Sequence, residues 1–212
     1  SKNCDYMMRY LSIHRDLDQM RDEAEKLSEH MDFNVSTTKD LLEVVNDNGL
    51  PHKRTVDGQA EEPVDGVDGA ITSGERTGQK PDLSKTPTCF VCEPMDAKNV
   101  GKATLCKILL NYATRRGRAP IFVDLDPDQG HIGLPGTIGS LSIESPIDIE
   151  SGLQLGSSML MHFGHTSPSA DVENKSSLYY NAIVENMAKI VHSKLKQDRK
   201  SYYSGVIINS SS

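Results

Sequence analysis

An α/β fold, a parallel sheet flanked by helices, is predicted by three features of this 212-residue sequence. Short apolar runs at residues 88–92, 120–125, 159–163 and 205–208 each have the length of a strand. Residues 104–116 and 179–195 carry apolar side chains at helical spacing. Gly101-Lys102 opens the first of these helices just after the first strand, the setting of a phosphate-binding loop. Strand, helix, strand, helix, strand in that order implies a parallel sheet with helices on its faces.

At the start of the chain Tyr10, Ile13, Leu17, Met20, Ala24 and Leu27 recur at alternating spacings of three and four, with Asp, Glu, Arg and Lys between them. Residues 1–31 therefore read as an amphipathic helix that docks on the domain after it. Residues 32–87 change character. Gly, Pro, Asp, Ser and Thr dominate, Val-Asp-Gly triplets start at Val56, Val64 and Val67, and the one apolar patch is Leu41-Leu42-Glu43-Val44-Val45. Such a segment buries too little apolar surface to offset its ordering entropy, and it is expected to be a disordered insertion. It is also acidic: residues 32–85 hold 11 acidic and 6 basic residues, most of the chain's net charge of −7.

From residue 88 to 212 the alternation begins. Thr88 to Cys92 reads as a buried strand. In the helix after it Leu105, Ile108, Leu109 and Tyr112 point inward, and Gly117 ends it. Ile121-Phe122-Val123 is a second buried strand. Ala182, Ile183, Met187, Ile190 and Val191 mark the second helix.

Composition excludes several classes. With 36% hydrophobic and 5% aromatic residues and no Trp, part of the chain is expected to stay outside the core. The negative charge argues against non-specific nucleic-acid binding by the whole surface. Cys4, Cys89, Cys92 and Cys106 are too sparse for a disulfide framework. Cys89 and Cys92 form a CxxC without a second pair to complete a zinc site, and read as small core residues. Every apolar run is too short to span a membrane, so no membrane partner is expected.

The chemistry concentrates between residues 93 and 130. At a helix start after a strand, backbone N–H groups cradle phosphate oxygens and a Lys such as Lys102 neutralises the terminal charge. Against GxxxxGK[ST], the first Gly falls on Asp96 and the hydroxyl position on Ala103. Losing that hydroxyl removes a magnesium ligand, and Thr104 substitutes for it only if the helix start shifts by a residue. The second strand ends in Asp124-Leu125-Asp126, and Asp126 is placed to hold Mg²⁺ or to accept the proton of an attacking hydroxyl. An EF-hand reading of Asp124, Asp126 and Asp128 fails, because Gln129 stands at the required Gly and Pro135 at the closing Glu. No acidic residue occurs from Ala97 to Val123, while Lys98, Lys102, Lys107, Arg115, Arg116 and Arg118 do, which suits an anionic ligand.

Gly101-Lys102-Ala103-Thr104-Leu105-Cys106-Lys107, Val123-Asp124-Leu125-Asp126, Gln129-Gly130 and Leu134-Pro135-Gly136-Thr137-Ile138-Gly139 closely resemble the Clp-type polyribonucleotide 5′-hydroxyl kinases. His162-Phe163-Gly164, Thr166-Ser167-Pro168 and Ser204-Gly205-Val206-Ile207-Ile208-Asn209 extend the resemblance. These are kinase-fold subunits of the mRNA cleavage and polyadenylation machinery, also associated with tRNA splicing. The resemblance implies a P-loop NTPase/kinase-like sheet, ATP and Mg²⁺ as cofactors, and transfer of the γ-phosphate to an RNA 5′-hydroxyl. Asn99, Val100, Gly101, Lys102, Ala103 and Thr104 would hold the phosphates, Lys102 and Asp126 would be catalytic, and Thr104 and Asp126 would meet Mg²⁺. Residues 163–168 would lie on the RNA side. The implied partners are RNA with a 5′-hydroxyl and cleavage and polyadenylation factor subunits; the implied location is the nucleus.

The departures define a second expectation. Where the family loop opens with Gly this chain has Glu93, Ala97-Lys98-Asn99 look inserted, and Asp128 replaces a Gly of an Asp-x-Gly-Gln element. The family also has a β domain before Tyr6 and a base-stacking Trp, lid arginines and a further domain beyond Asn209. The domain at 88–212 is thus expected to stop before the lid, and a catalytically inactive P-loop scaffold for pre-mRNA cleavage-factor partners is the alternative.

Overall fold

A computed structural model describes residues 2–33, 80–93, 100–168 and 175–211. The insertion expected over 32–87 lies outside the described residues except at its ends, as does Asn99 of the loop. Helix α1 (Lys2–Ser28) is followed by strand β1 (Thr88–Val91), helix α2 (Lys102–Arg115), strands β2 (Ile121–Asp124), β3 (Thr137–Ser142) and β4 (Met159–His162), helices α3 (Lys175–Gln197) and α4 (Arg199–Ser204), and strand β5 (Val206–Asn209). Among the described residues no helix is long and apolar enough to cross a membrane.

The strands form one sheet in the order β1-β5-β2-β3-β4. β5 lies between β1 and β2, parallel to both, with Val206 opposite Thr88 on one side and Ile121 on the other. The α/β class holds, but the sheet is mixed: β3 runs antiparallel to β2, and β4 antiparallel to β3. Sequence periodicity passes over β3, because Thr137-Ile138-Gly139-Ser140-Leu141-Ser142 carries only two large apolar residues.

Alternation along the central strands divides the core into two layers. Phe122 and Ile207 face Cys106, Leu109 and Leu110 of α2. Ile121, Val123 and Val206 face Ile183, Met187 and Val191 of α3. Each fully buried Leu, Phe or Met contributes about 1.5–3 kcal/mol. α2 begins two residues before the predicted start, at Lys102, and α3 extends beyond 179–195 at both ends.

Three expectations need correction. β1 is the sheet edge, so of its residues only Val91 is buried, and Phe90 is 57% exposed. Cys92 is likewise exposed and Cys89 half-buried, leaving Cys106 as the cysteine of the core among the described side chains. Residues 82–87 also pack against these elements. Asp82 caps a 3₁₀ turn (Leu83–Lys85), its carbonyl accepts from the Tyr202 hydroxyl at 2.9 Å, and the Pro87 carbonyl accepts from Val206 N–H at 2.8 Å.

The third correction concerns α1. Its inward stripe is Leu17, Arg21, Ala24 and Ser28, while Ile13, Met20 and Leu27 are exposed. The surface it meets is polar, which the apolar count could not register. Arg21 Nε donates to the Ser204 carbonyl at 2.9 Å, and Ser28 Oγ accepts from Arg199 Nε at 2.9 Å. Arg118 adds ion pairs to Asp22 and Glu25 and lies 5.1 Å from the Tyr203 ring centre.

The cysteines allow a check of this core. Burial, with the nearby Cys89 and Asp124 adding to it, pushes the Cys106 thiol up to about 12. Because the thiolate is the nucleophile, iodoacetamide at pH 8 is expected to label Cys92 readily and Cys106 only after denaturation. Peptide mass spectrometry reads the sites, and equal labelling rates in the folded chain would mean that the layer between α2 and the sheet is open.

Candidate functional site

The site sits where β1, β2 and β5 end together, the edge at which ligands bind in open α/β sheets. Gly101 caps α2 with φ +90°, a left-handed conformation that glycine adopts without penalty. The first i→i−4 bond of the helix runs from Leu105 N–H to the Gly101 carbonyl at 3.0 Å. The N–H groups of residues 102–104 therefore lie ahead of the helix's own hydrogen-bond ladder and point toward the cleft.

Lys102 opens the helix and is 9% exposed. Its ammonium donates to the Ser210 carbonyl at 3.1 Å and stands 3.5 Å from Glu93 Oε1. The Glu93 side chain is itself only 9% exposed, so the pair is largely withdrawn from water.

Across the cleft, Asp124 ends β2 and is buried. Its carboxylate accepts from Asn209 Nδ2 at 2.8 Å and from the N–H groups of Asp126 at 3.3 Å and His131 at 3.1 Å. Burial raises the Asp124 pKa, while the Asn209 hydrogen bond and the nearby His131 oppose the rise. This carboxylate organises the loop rather than facing a ligand. Asp126 is also buried, and its Oδ1 accepts from Asp128 N–H at 3.1 Å. From the α3 side, the Tyr180 hydroxyl donates to the Leu125 carbonyl at 2.7 Å and steadies the same turn.

One cleft collects most of the residues that the sequence singles out. Val100, Gly101, Lys102, Ala103 and Thr104 line one wall and Asp126 the other. Lys107, Gln129, His131, Asn209 and Glu93 join them. The sequence pattern singles out neither His131 nor Asn209 as a site residue. A signal for Asn209 is present: Val206-Ile207-Ile208-Asn209 ends an apolar strand in a polar residue, as Ile121-Phe122-Val123-Asp124 does.

Three of the residues that line the cleft each carry a buried atom without a hydrogen-bond partner: Glu93 Oε2, Asn209 Oδ1 and His131 Nε2. Each such atom costs about 1–3 kcal/mol while unsatisfied. The start of α2, Lys102 and Lys107 suit phosphate oxygens, whereas the Glu93 carboxylate adds negative charge beside Lys102. Among the described residues no group of three or more His, Cys, Asp or Glu side chains could hold a metal ion. A magnesium ion here would take most of its ligands from water and phosphate, as it ordinarily does. The start of α2 with Lys102 and Lys107 gives the cleft the chemistry of a phosphate-binding wall.

Comparisons with known proteins point to one family. The model of the mRNA cleavage and polyadenylation factor CLP1 P-loop matches residues 96–212. A protein CLP1 homolog of Aedes aegypti is 42% identical over 134 residues, covering 63% of this chain and 30% of that protein. Its counterpart in Drosophila melanogaster is 43% identical over 123 residues, covering 58% and 27%. The chain thus spans less than a third of the length of these curated relatives. A solved structure of a wild-type Clp1p–Pcf11p complex aligns with a TM-score of 0.47 at 20% identity, over 65% of this chain and 31% of that one.

Proposed function

The chain belongs to the mRNA cleavage and polyadenylation factor CLP1 P-loop family, and from that premise we propose that it binds ATP with Mg²⁺ and serves RNA 5′-hydroxyl phosphorylation. The observation that carries this reading is the convergence of Lys102, at the first turn of α2, and Asp126, after β2, on one cleft. The N–H groups at the start of α2, with Lys102 and Lys107, would hold phosphate oxygens. Asp126 would accept the proton of an attacking hydroxyl. Bound Mg²⁺-ATP supplies the transferable phosphoryl group and the charge that offsets it. RNA with a 5′-hydroxyl, cleavage and polyadenylation factor subunits, a nuclear location and a link to tRNA splicing belong to the same proposal.

A second reading, a P-loop scaffold that holds cleavage-factor partners without catalysis, is favoured by the Glu93 carboxylate beside Lys102 and by Ala103 at the hydroxyl position.

Calorimetric titration with Mg²⁺-ATP tests the site. The chain is expected to bind, and Lys102→Ala to weaken binding by roughly 10- to 100-fold, the worth of a hydrogen bond to a charged group. An unchanged affinity in Lys102→Ala would remove this cleft as the nucleotide site. Transfer of labelled γ-phosphate to a 5′-hydroxyl oligoribonucleotide then separates the readings, since binding without transfer leaves the scaffold.

A further inference from the structure

In a phosphate-binding loop the lysine after the glycine reaches the terminal phosphates of a nucleotide. Here the Lys102 ammonium already stands 3.5 Å from Glu93 Oε1, with side-chain exposures of 7% and 9%. The same ammonium donates to the Ser210 carbonyl at 3.1 Å, which fixes it just past the end of β5. Water screens so buried a pair poorly, so the carboxylate offsets the lysine's charge at short range. Glu93 Oε2 is buried without a hydrogen-bond partner, which leaves Lys102 as the contact that compensates this carboxylate. Along the rest of the lining the charge of Lys107 is matched by that of Asp126. Among its Lys, Asp and Glu side chains the wall therefore carries no net charge, whereas attraction of a triphosphate calls for an excess of positive charge.

The consequence differs with the number of phosphates. A diphosphate can be held by the N–H groups at the start of α2 and by Lys107 while the pair of Glu93 and Lys102 stays intact. A third phosphate directed at Lys102 must lie against the Glu93 carboxylate or expel it, and separating a buried ion pair is costly. We propose that Glu93 is a specificity-determining residue of this cleft: its carboxylate stands in for a terminal phosphate at Lys102, so that a nucleoside triphosphate gains no affinity over the diphosphate. This rests on the nucleotide reading of the site. It gives a role to a side chain that the loop pattern marks only as a missing glycine.

The test is calorimetric titration with ADP and with ATP, both in Mg²⁺, of the unaltered chain, Glu93→Gln, Lys102→Ala and the double variant, with circular dichroism to verify each fold. The unaltered chain is expected to bind the two nucleotides with affinities less than about tenfold apart. Glu93→Gln removes the charge at nearly constant shape. It is expected to raise the preference for ATP over ADP by roughly 10- to 100-fold, the worth of a hydrogen bond to a charged group. In the Lys102→Ala background the same substitution is expected to lose most of that gain, because the gain passes through Lys102. A merely structural role for Glu93 would move both nucleotides together. An ATP-to-ADP ratio that Glu93→Gln leaves unchanged, or an equal gain without Lys102, would overturn the proposal and leave the nucleotide reading intact. ATP binding more than about tenfold tighter than ADP by the unaltered chain would do the same, and this comparison decides should Glu93→Gln not fold. Binding of neither nucleotide by any form would overturn both.

Discussion

Gly205→Ala is expected to abolish the native fold, at a cost above about 4 kcal/mol. Gly205 joins α4 to β5 with φ +83°, outside the range that an L side chain adopts readily. Backbone strain by itself would cost about 1–3 kcal/mol, because φ +83° with ψ −172° is a region essentially confined to glycine. A collision costs more. A Cβ on Gly205 would stand 2.2 Å from the Pro87 carbonyl oxygen, a backbone atom that already accepts from Val206 N–H at 2.8 Å. Moving Pro87 would break this bond and shift β1 against β5, its neighbour in the sheet. Gly117→Ala is the control. Its φ is +77°, yet an added Cβ would meet nothing within 4 Å. It is expected to show only the cost of strain, about 1–2 kcal/mol. Chemical denaturation of both variants gives the comparison, and similar midpoints would mean that the close approach of Gly205 to Pro87 does not exist in solution.

Arg21→Ala is expected to cost about 3–5 kcal/mol, the penalty for breaking a buried charged contact from one side. Arg21 is 1% exposed, and burial lowers the pKa of its guanidinium. Removing it would leave the Ser204 carbonyl without its 2.9 Å donor and take away one of the cations around Asp18, which also pairs with Arg116 at 3.3 Å. It would also open a cavity where α1 rests on α4. Arg21→Met refills most of that volume without the donor and is expected to recover part of the loss, bringing the cost to about 1–3 kcal/mol. Equal stability of Arg21→Ala and the unaltered chain in urea denaturation would show that α1 is not docked through this residue.

Much of the architecture was legible because burial leaves a period. The apolar runs at β2 and β5, and the helical spacing of α2 and α3, reported strand and helix without reference to a partner. That the Gly101-Lys102 helix start and Asp126 share one cleft was legible from their places, one after β1 and the other after β2. Other features had no period to read. β3 shows no apolar period because the small residues Gly139 and Ser140 fill buried positions between Ile138 and Leu141, and its place comes from backbone pairing with β2 and β4. α4 spans six residues and is set by its Asp198 cap, not by an apolar stripe.

By itself, then, the sequence determined an α/β chain with a Gly-Lys helix start after one strand and a carboxylate after another. The tertiary structure alone decided the order of the strands, the burial of Arg21 in place of Met20, and the pairing of Glu93 with Lys102. The physical reason is the same in each case. Periodicity records that a face is covered, but the identity of the covering atoms depends on chain segments far apart in sequence. A hydrogen bond or ion pair between such segments leaves no mark in either of them.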